Sequence, residues 1–366
     1  MRDEASVTTA QHIASQFDFG ASVAAVAPYG SGLINDTFVV TTAQTPPRRF
    51  ILQRINPHVF SQPRAILQNL RVLSRYWHGR YAGDQTTLQL PELISARNGA
   101  DGVEDDEHGV WRVLSYIENS RTLPALSCAA QAQALGRGLG HFHAMLAGLP
   151  VQELQVTLPG FHVAPGYLAK LDAIRVGVKQ LSADVAACLD FVDTRRAAFD
   201  VLENAKARGQ LTLRTTHGDP KLNNFLFAAV EDRVISLIDL DTVQPGLVHY
   251  DIGDCLRSAC NTAGESPSQL SAVGFNWALG RATLDGYLSA AGETLTDSDR
   301  VLLYDAIRLL PLELGVRFLT DHLDGDRYFK TVWPGQNLFK ARVQFELARD
   351  IERYENHIRE ATRASS

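Results

Sequence analysis

The chain has only four cysteines, Cys128, Cys188, Cys255 and Cys260, and no two of them form a C-x-x-C pair. Finger-type zinc sites are therefore excluded, and a disulfide framework is not expected in a chain of 366 residues. Reduced thiols in a cytoplasm are the plain expectation. Basic charge is also short. Against 41 Asp and Glu stand 35 Lys and Arg, a net charge of −6, so a nucleic-acid partner that needs a basic face is not expected. No run approaches the ~18 uninterrupted apolar residues of a membrane helix. The opening "MRDEASVTTAQHIASQF" mixes acid and base and lacks the apolar centre of a signal peptide. These absences predict a soluble cytoplasmic protein with no membrane partner, a monomer or weak homodimer.

What is present reads as ordinary globular sequence, 45% hydrophobic and 21% charged, and long enough for two core-forming domains. Residues 7–18 predict a short helix. In "VAAVAPYGSGLINDTFVVTTAQTPPRRFILQRIN" three strand-like runs are separated by turns, one of them Pro-Pro, which predicts a β-meander. A helix is expected over 64–77, with Ile66, Leu67, Leu70 and Leu73 on its apolar face. "LQLPELISA" and "VWRVLSYI" read as further strands. Between them "RNGADGVEDDEHG" is expected to be a hairpin tip too polar to pack. After Ile117 the texture turns helical, beginning with "SCAAQAQALGRGLGHFHAMLAGL" and its serine N-cap signal. Strands return only within 211–243. The division expected is a β-rich segment over 1–117 and a helical one over 118–366.

Chemistry concentrates in "THGDPKLNNFLF". The five positions from Asp219 to Asn224 reproduce the kinase catalytic-loop spacing H-x-D-x-x-x-x-N, in which the Asp takes a hydroxyl proton and the Asn holds magnesium. Asp239, at the end of "VISLIDL", is the candidate second metal ligand. If Asn224 and Asp239 close an antiparallel hairpin, its midpoint falls between Glu231 and Asp232, in the turn-like "AAVEDR". Either signal alone is commonplace, because an Asp ending a strand is ordinarily a turn former. Their conjunction at hairpin spacing is not.

These segments, together with "GLINDTF", "FILQRINPHVF", "YDIGDCLRSACN" and "LELGVRFLTDHLDGDRYF", resemble the aminoglycoside phosphotransferase and choline kinase-like superfamily. Within it the resemblance is nearest to the N-acetylhexosamine 1-kinases. It implies an α+β, bilobal protein kinase-like fold, with a β-rich N-terminal lobe and a helical C-terminal lobe. It also implies ATP and Mg2+ as cofactors and a small-molecule sugar substrate as partner. Asp219 would be the general base, Asn224 and Asp239 the magnesium ligands, and Asp241 an outer-shell carboxylate. His217 would orient the loop and Asp251 brace its backbone.

On the nucleotide side, "YGSGLINDTFVV" would fold over the phosphates through Gly30, Gly32 and Asn35, although it is not a full G-x-G-x-x-G. Adenine would sit against the main chain of Tyr116 to Glu118. A phosphate-gripping lysine is missing from "RRFILQRIN", which leaves Gln53 and Arg54 as candidates. The next helix offers Gln68 and no glutamate to complete an ion pair. A catalytically weak nucleotide-binding module is the reading this gap would favour, and retention of Asp219, Asn224 and Asp239 argues against it.

For the acceptor, charges from residue 245 onward interleave in near balance, which points to a neutral polyhydroxylated molecule rather than a polycation. Asp254, Arg257, Arg317 and Tyr328 are the substrate-binding candidates. Arg317 lies in an otherwise apolar stretch and needs a partner. A Glu313–Arg317–Asp321 ladder at helical spacing is the bland alternative. The expected activity is transfer of the γ-phosphate of ATP to the anomeric hydroxyl of an N-acetylhexosamine. The alternative is a kinase of the same fold acting on an aminoglycoside, another sugar or another small alcohol.

Overall fold

The computed structural model describes residues 4–30, 34–81, 88–264 and 267–363. By internal contacts the chain divides into two compact units. The first comprises residues 1–120, 149–158 and 238–244; the second comprises 121–148, 159–237 and 245–366. The single cut expected from the sequence therefore leaves out two short segments, of which 238–244 carries Asp239 and Asp241.

The first unit opens with helix α1 (Glu4–Ala14), followed by β1 (Val23–Pro28), β2 (Asp36–Thr42), β3 (Arg49–Arg54), α2 (Pro63–Tyr81), β4 (Leu93–Ile94), β5 (Val103–Glu104) and β6 (Val110–Ser115). All strands pair antiparallel in the order β1-β2-β3-β6-β4, with β5 added on β6. The meander read from the sequence is present. Alternate residues Phe38 and Val40, and Phe50 and Leu52, face a core shared with Ile13, Phe17 and Val113. α2 starts on proline, whose missing N–H costs nothing at a first turn. It runs a turn beyond the expected end and buries Ile66, Leu67, Leu70, Leu73 and Trp77.

The acidic loop does pack, contrary to expectation. Asp105 accepts hydrogen bonds from the Trp111 indole at 2.7 Å and from the backbone N–H of Glu107 and Gly109, which converts a polar tip into a built turn.

Along the chain, β7 (Ser120–Arg121) spans the boundary of the two units. The second unit contains α3 (Ala129–Leu146), α4 (Ala164–Arg175), α5 (Ala183–Asp193), α6 (Arg196–Ala207), β8 (Arg214–Thr216), β9 (Phe225–Ala228) and β10 (Val234–Leu237). After β11 (Gln244–Gly246) come α7 (Val248–Ala259), α8 (Trp277–Ala291), α9 (Asp297–Val301), α10 (Leu303–Leu323), α11 (Gln336–Glu352) and α12 (Glu355–Thr362). Their core gathers Leu171, Val192, Phe199, Leu202, Leu309, Val316 and Phe345.

The N-cap of α3 is Cys128, one residue later than the serine signal suggests. Ser127 bonds the Gln131 side chain instead of a free N–H. α3 and α8 meet backbone to backbone. A Cβ on Gly136 would lie 1.8 Å from the Thr283 carbonyl oxygen, and one on Gly286 would lie 2.1 Å from that of Gln133. Among the described residues no helix is long and apolar enough to cross a membrane.

Candidate active site

The hairpin expected around residues 224–239 is present. β9 and β10 pair antiparallel and end with Leu237 opposite Phe225, so Asn224 directly precedes the pairing and Asp239 follows it by two residues. Ahead of β9, the chain from His217 to Asn224 forms a loop held from several directions within the second unit. Gly218 takes a left-handed φ of 86°, a conformation that glycine adopts without steric cost.

Asp251, on α7 and fully buried, accepts from the backbone N–H of His217 at 2.6 Å and of Gly218 at 2.8 Å. Its Oδ2 also lies 2.9 Å from Nε2 of His143 on α3. Burial works to raise the Asp251 carboxyl, but His143, His217 and the backbone donor outweigh it and hold it below the usual carboxylate range. The brace that the resemblance implied is thus built from a carboxylate reading two consecutive amides.

His162 holds the same loop from another side. Its Nε2 lies 2.8 Å from the Gly218 carbonyl and its Nδ1 lies 3.0 Å from Glu313 on α10. With an oxygen acceptor at each ring nitrogen, the imidazolium form can donate twice. Burial opposes that charge; Glu313 and the Gly218 carbonyl outweigh it and raise His162 above the ordinary histidine value. Nothing in the sequence singled out His162. It stands alone in "PGFHVAPGY", 56 positions from its partner.

Asp219 leaves this clamp with its carboxylate part-exposed, 27% of the side chain, and paired with the Lys221 ammonium at 2.5 Å. The Asn224 amide nitrogen donates to the Asp219 carbonyl at 2.7 Å. That use of the nitrogen leaves its carbonyl oxygen as the atom suited to a hard cation.

Asp254 and Arg257 are both buried on α7 and pair at 2.7 Å. Burial and the nearby Asp219 raise the Asp254 carboxyl although Arg257 pulls it down, and its Oδ2 has no hydrogen-bond partner. Arg317 lies among three aromatic rings, with its guanidinium carbon 5.1 Å from the centroid of Tyr167, 5.5 Å from Phe161 and 5.6 Å from Phe329. Of the ladder weighed as the bland alternative only half forms: Glu313 pairs with Arg317 at 3.9 Å, and Asp321 turns elsewhere. Asp321 accepts from the backbone N–H of Arg327, Tyr328 and Phe329 and from Asn337, because α10 ends two residues later and the next turn supplies those donors. This seats Tyr328, which is 57% exposed.

In the first unit the nucleotide-side candidates separate. Gly32 lies outside the described residues. Arg54 is turned away to Asp105 at 3.0 Å and Glu107 at 2.8 Å, because neighbours on a strand point to opposite faces. Gln53 faces Arg112 directly across the β3–β6 pairing, and its Oε1 accepts from the Arg112 Nε at 3.2 Å and Nη2 at 2.8 Å. Arg112, 1% exposed, also pairs with Asp241.

Asn35 donates to the second Asp241 oxygen at 2.7 Å and accepts from the Asn56 N–H at 3.0 Å. Both oxygens of Asp241 are therefore engaged by protein side chains. On α2, Gln68 is exposed, and the buried polar residue beside it is Asn69, whose Nδ2 donates to the carbonyls of Val243 at 2.9 Å and Gln155 at 2.8 Å. Tyr116 and Glu118 use their side chains on Tyr29 and Arg49. Asp239 itself has φ 65°, in the left-handed region.

Among the described residues no three His, Cys, Asp or Glu form a cluster able to hold a metal. A magnesium ion carried in on phosphates needs only one or two protein oxygens, and the Asn224 carbonyl and Asp239 carboxylate are of that kind.

The chain shares its fold with solved phosphotransferases. An aminoglycoside phosphotransferase from Alicyclobacillus acidocaldarius is similar at 15% identity and TM-score 0.66, over 96% of each chain. The amicoumacin kinase hAmiN, solved with AMP-PNP, Ca2+ and Ami, matches at 16% identity and TM-score 0.59, over 94% of this chain and 93% of its own. A microcompartment-associated aminopropanol kinase matches at 16% identity and TM-score 0.55, over 96% and 98%. The family model described as the phosphotransferase enzyme family, APH, matches residues 25–287, and on that match the chain belongs to the APH phosphotransferase family.

Proposed function

We propose that the protein is a small-molecule kinase that transfers the γ-phosphoryl group of ATP to the anomeric hydroxyl of an N-acetylhexosamine. The observation that carries the acceptor choice is charge balance around the Asp219 loop. Asp219 is paired with Lys221, Asp254 with Arg257, and Glu313 with both His162 and Arg317. Among these described residues each carboxylate has a cation beside it, and a polycation would be repelled by the cations already in place. A neutral polyol suits such a surface, with Arg317 and Tyr328 as hydrogen-bonding contacts and the aromatic rings as a flat wall.

Asp219 is the assigned base. Its part-exposed carboxylate accepts the hydroxyl proton as the acceptor oxygen attacks in line. An anomeric hydroxyl is more acidic than an ordinary alcohol, so a base of carboxylate strength suffices. Asn224 and Asp239 are the assigned ligands of magnesium, which on binding neutralises phosphate charge. Asp251 and His162 keep the loop in register so that Asp219 stays aligned, since positioning and charge neutralisation supply most of the rate enhancement in this chemistry.

The solved neighbours also include an aminopropanol kinase and an aminoglycoside phosphotransferase, and an amino acceptor is the competing reading. The test is ATP consumption across N-acetylhexosamines, plain hexoses, aminopropanol and kanamycin, with the phosphate position read by phosphorus NMR. Phosphate on C1 of an N-acetylhexosamine is the expected product. A 6-phosphate, or activity confined to amines, would overturn the acceptor assignment and leave the family membership intact.

A further inference from the structure

The first unit contains no lysine; the first in the chain is Lys170, and neither 149–158 nor 238–244 holds one. Any buried cation there must be arginine, and Arg112 is the buried arginine among the described residues of this unit. Its guanidinium joins Gln53 on β3 to Asp241, and Asn35 closes on the other oxygen of the same carboxylate. We propose that Arg112 is a positioning residue for the metal-side turn: by holding Asp241 it fixes Asp239, two residues earlier, for a divalent cation carried on nucleotide phosphates.

Three observations support this. First, Asp239 takes a left-handed conformation that a residue with a side chain keeps only where its surroundings impose it. The short turn Leu240–Thr242 that follows is anchored at Asp241 by Arg112 and Asn35, and just beyond it at the Val243 carbonyl by Asn69. Second, a buried ion pair is a weak source of stability, because desolvation offsets most of the attraction; its best-attested use is to specify one geometry. Third, Nη1 of Arg112 is buried without a hydrogen-bond partner, an arrangement unfavourable for stability alone. The brace ties β3, β6 and the β1–β2 connection to the turn, a task the missing lysine and glutamate cannot perform here. It rests on the phosphotransferase reading and on Asp239 as the metal ligand.

The test measures Mn2+ binding by electron paramagnetic resonance in the presence of ADP, with adenosine affinity measured alongside. The informative variant is the double substitution R112M/D241L, since apolar replacement of both partners of a buried pair commonly preserves folding. Its melting temperature should stay near wild type while Mn2+ affinity falls ~10-fold or more, the usual effect of losing the groups that orient a metal ligand. Adenosine affinity should not change. R112K keeps the charge but cannot serve Gln53 and Asp241 with a planar fork, so its Mn2+ affinity should fall between the two, and it decides the matter if the double variant does not fold. Wild-type Mn2+ affinity in either folded variant would overturn the brace. Failure of the wild-type protein to bind Mn2+ with ADP would overturn the phosphotransferase reading and this proposal with it.

Discussion

Replacing Asp251 with alanine probes the catalytic loop without touching any group proposed to meet substrate. Three hydrogen bonds converge on this fully buried carboxylate, from the His217 and Gly218 amides and from His143. Each hydrogen bond to a charged acceptor is worth about 1.5–3 kcal/mol, but three sharing one acceptor do not add. Removing one member of a buried charged network typically costs about 3–5 kcal/mol, because the partners are left without compensation. For a unit of this size that corresponds to a fall in melting temperature of about 6–20 °C. Released from its brace, Asp219 should lose alignment and kcat should drop about 10²-fold, while nucleotide affinity is retained.

The same carboxylate carries a pH signature. Its folded value is depressed, so its stabilisation is present above the unfolded aspartate value of about 3.9 and disappears as pH falls through the folded value. Thermal melts by circular dichroism at neutral and acid pH, for wild type and Asp251→Ala, should therefore converge in acid. A variant within 1 kcal/mol of wild type at pH 7 that turns over at the normal rate would refute this account of the loop.

Asp219→Asn should lower kcat by ~10²- to 10⁴-fold with nucleotide affinity intact, as read by steady-state kinetics and calorimetry; near-normal turnover would remove Asp219 from the mechanism. Asn224→Ala and Asp239→Ala should each raise the magnesium concentration needed for activity, and the double variant should be little worse than either alone; fully additive losses would argue against a shared ion. Arg317→Ala should raise the KM for the acceptor and leave that for ATP unchanged, whereas an unchanged acceptor KM would reduce Arg317 to a packing role. For His162, the folded chain binds the proton more tightly than the unfolded chain. Its contribution is fully present below about pH 6.5 and is lost as pH rises through the raised folded value. His162→Gln should flatten that decline in urea midpoints, and an unchanged slope would refute the pairing.

The sequence exposes those parts of the site whose chemistry is written within a few consecutive residues. Asp219 and Asn224 share one loop, Asp239 lies one hairpin away, and the β1–β2–β3 meander announces itself by alternation and a Pro-Pro turn. Arg112 was invisible because "VWRVLS" reads as a strand with one charged residue facing solvent. Five of its six residues are in fact buried, Arg112 included, so the charge points into protein. His162 could not be found either, since its partners Gly218 and Glu313 are distant in the chain. Asp321 misled in the opposite way. Its spacing from Arg317 suggested an ion pair along the helix as the bland alternative, but three amides past the end of α10 are a stronger claim on its carboxylate, and the Arg317 guanidinium packs among aromatic rings instead. Local competition of this kind also undid the expectation for the acidic loop, where Asp105 found three hydrogen-bond donors and an ion pair with Arg54 nearby.

The contact of α3 with α8 bears on how this chain can drift. At Gly136 and Gly286 the obstacle to any side chain is the carbonyl of the facing helix, not another side chain. A crowded side chain can be relieved by a second substitution that trims its neighbour; a crowded backbone cannot, because no replacement shortens a peptide group. Both positions therefore admit a single letter whatever else in the sequence changes. α3 also carries His143, whose ring bonds Tyr287 on α8 and Asp251 on α7. Mutational history can redraw the residues around the acceptor, but not the spacing of the helices that hold the loop beside it.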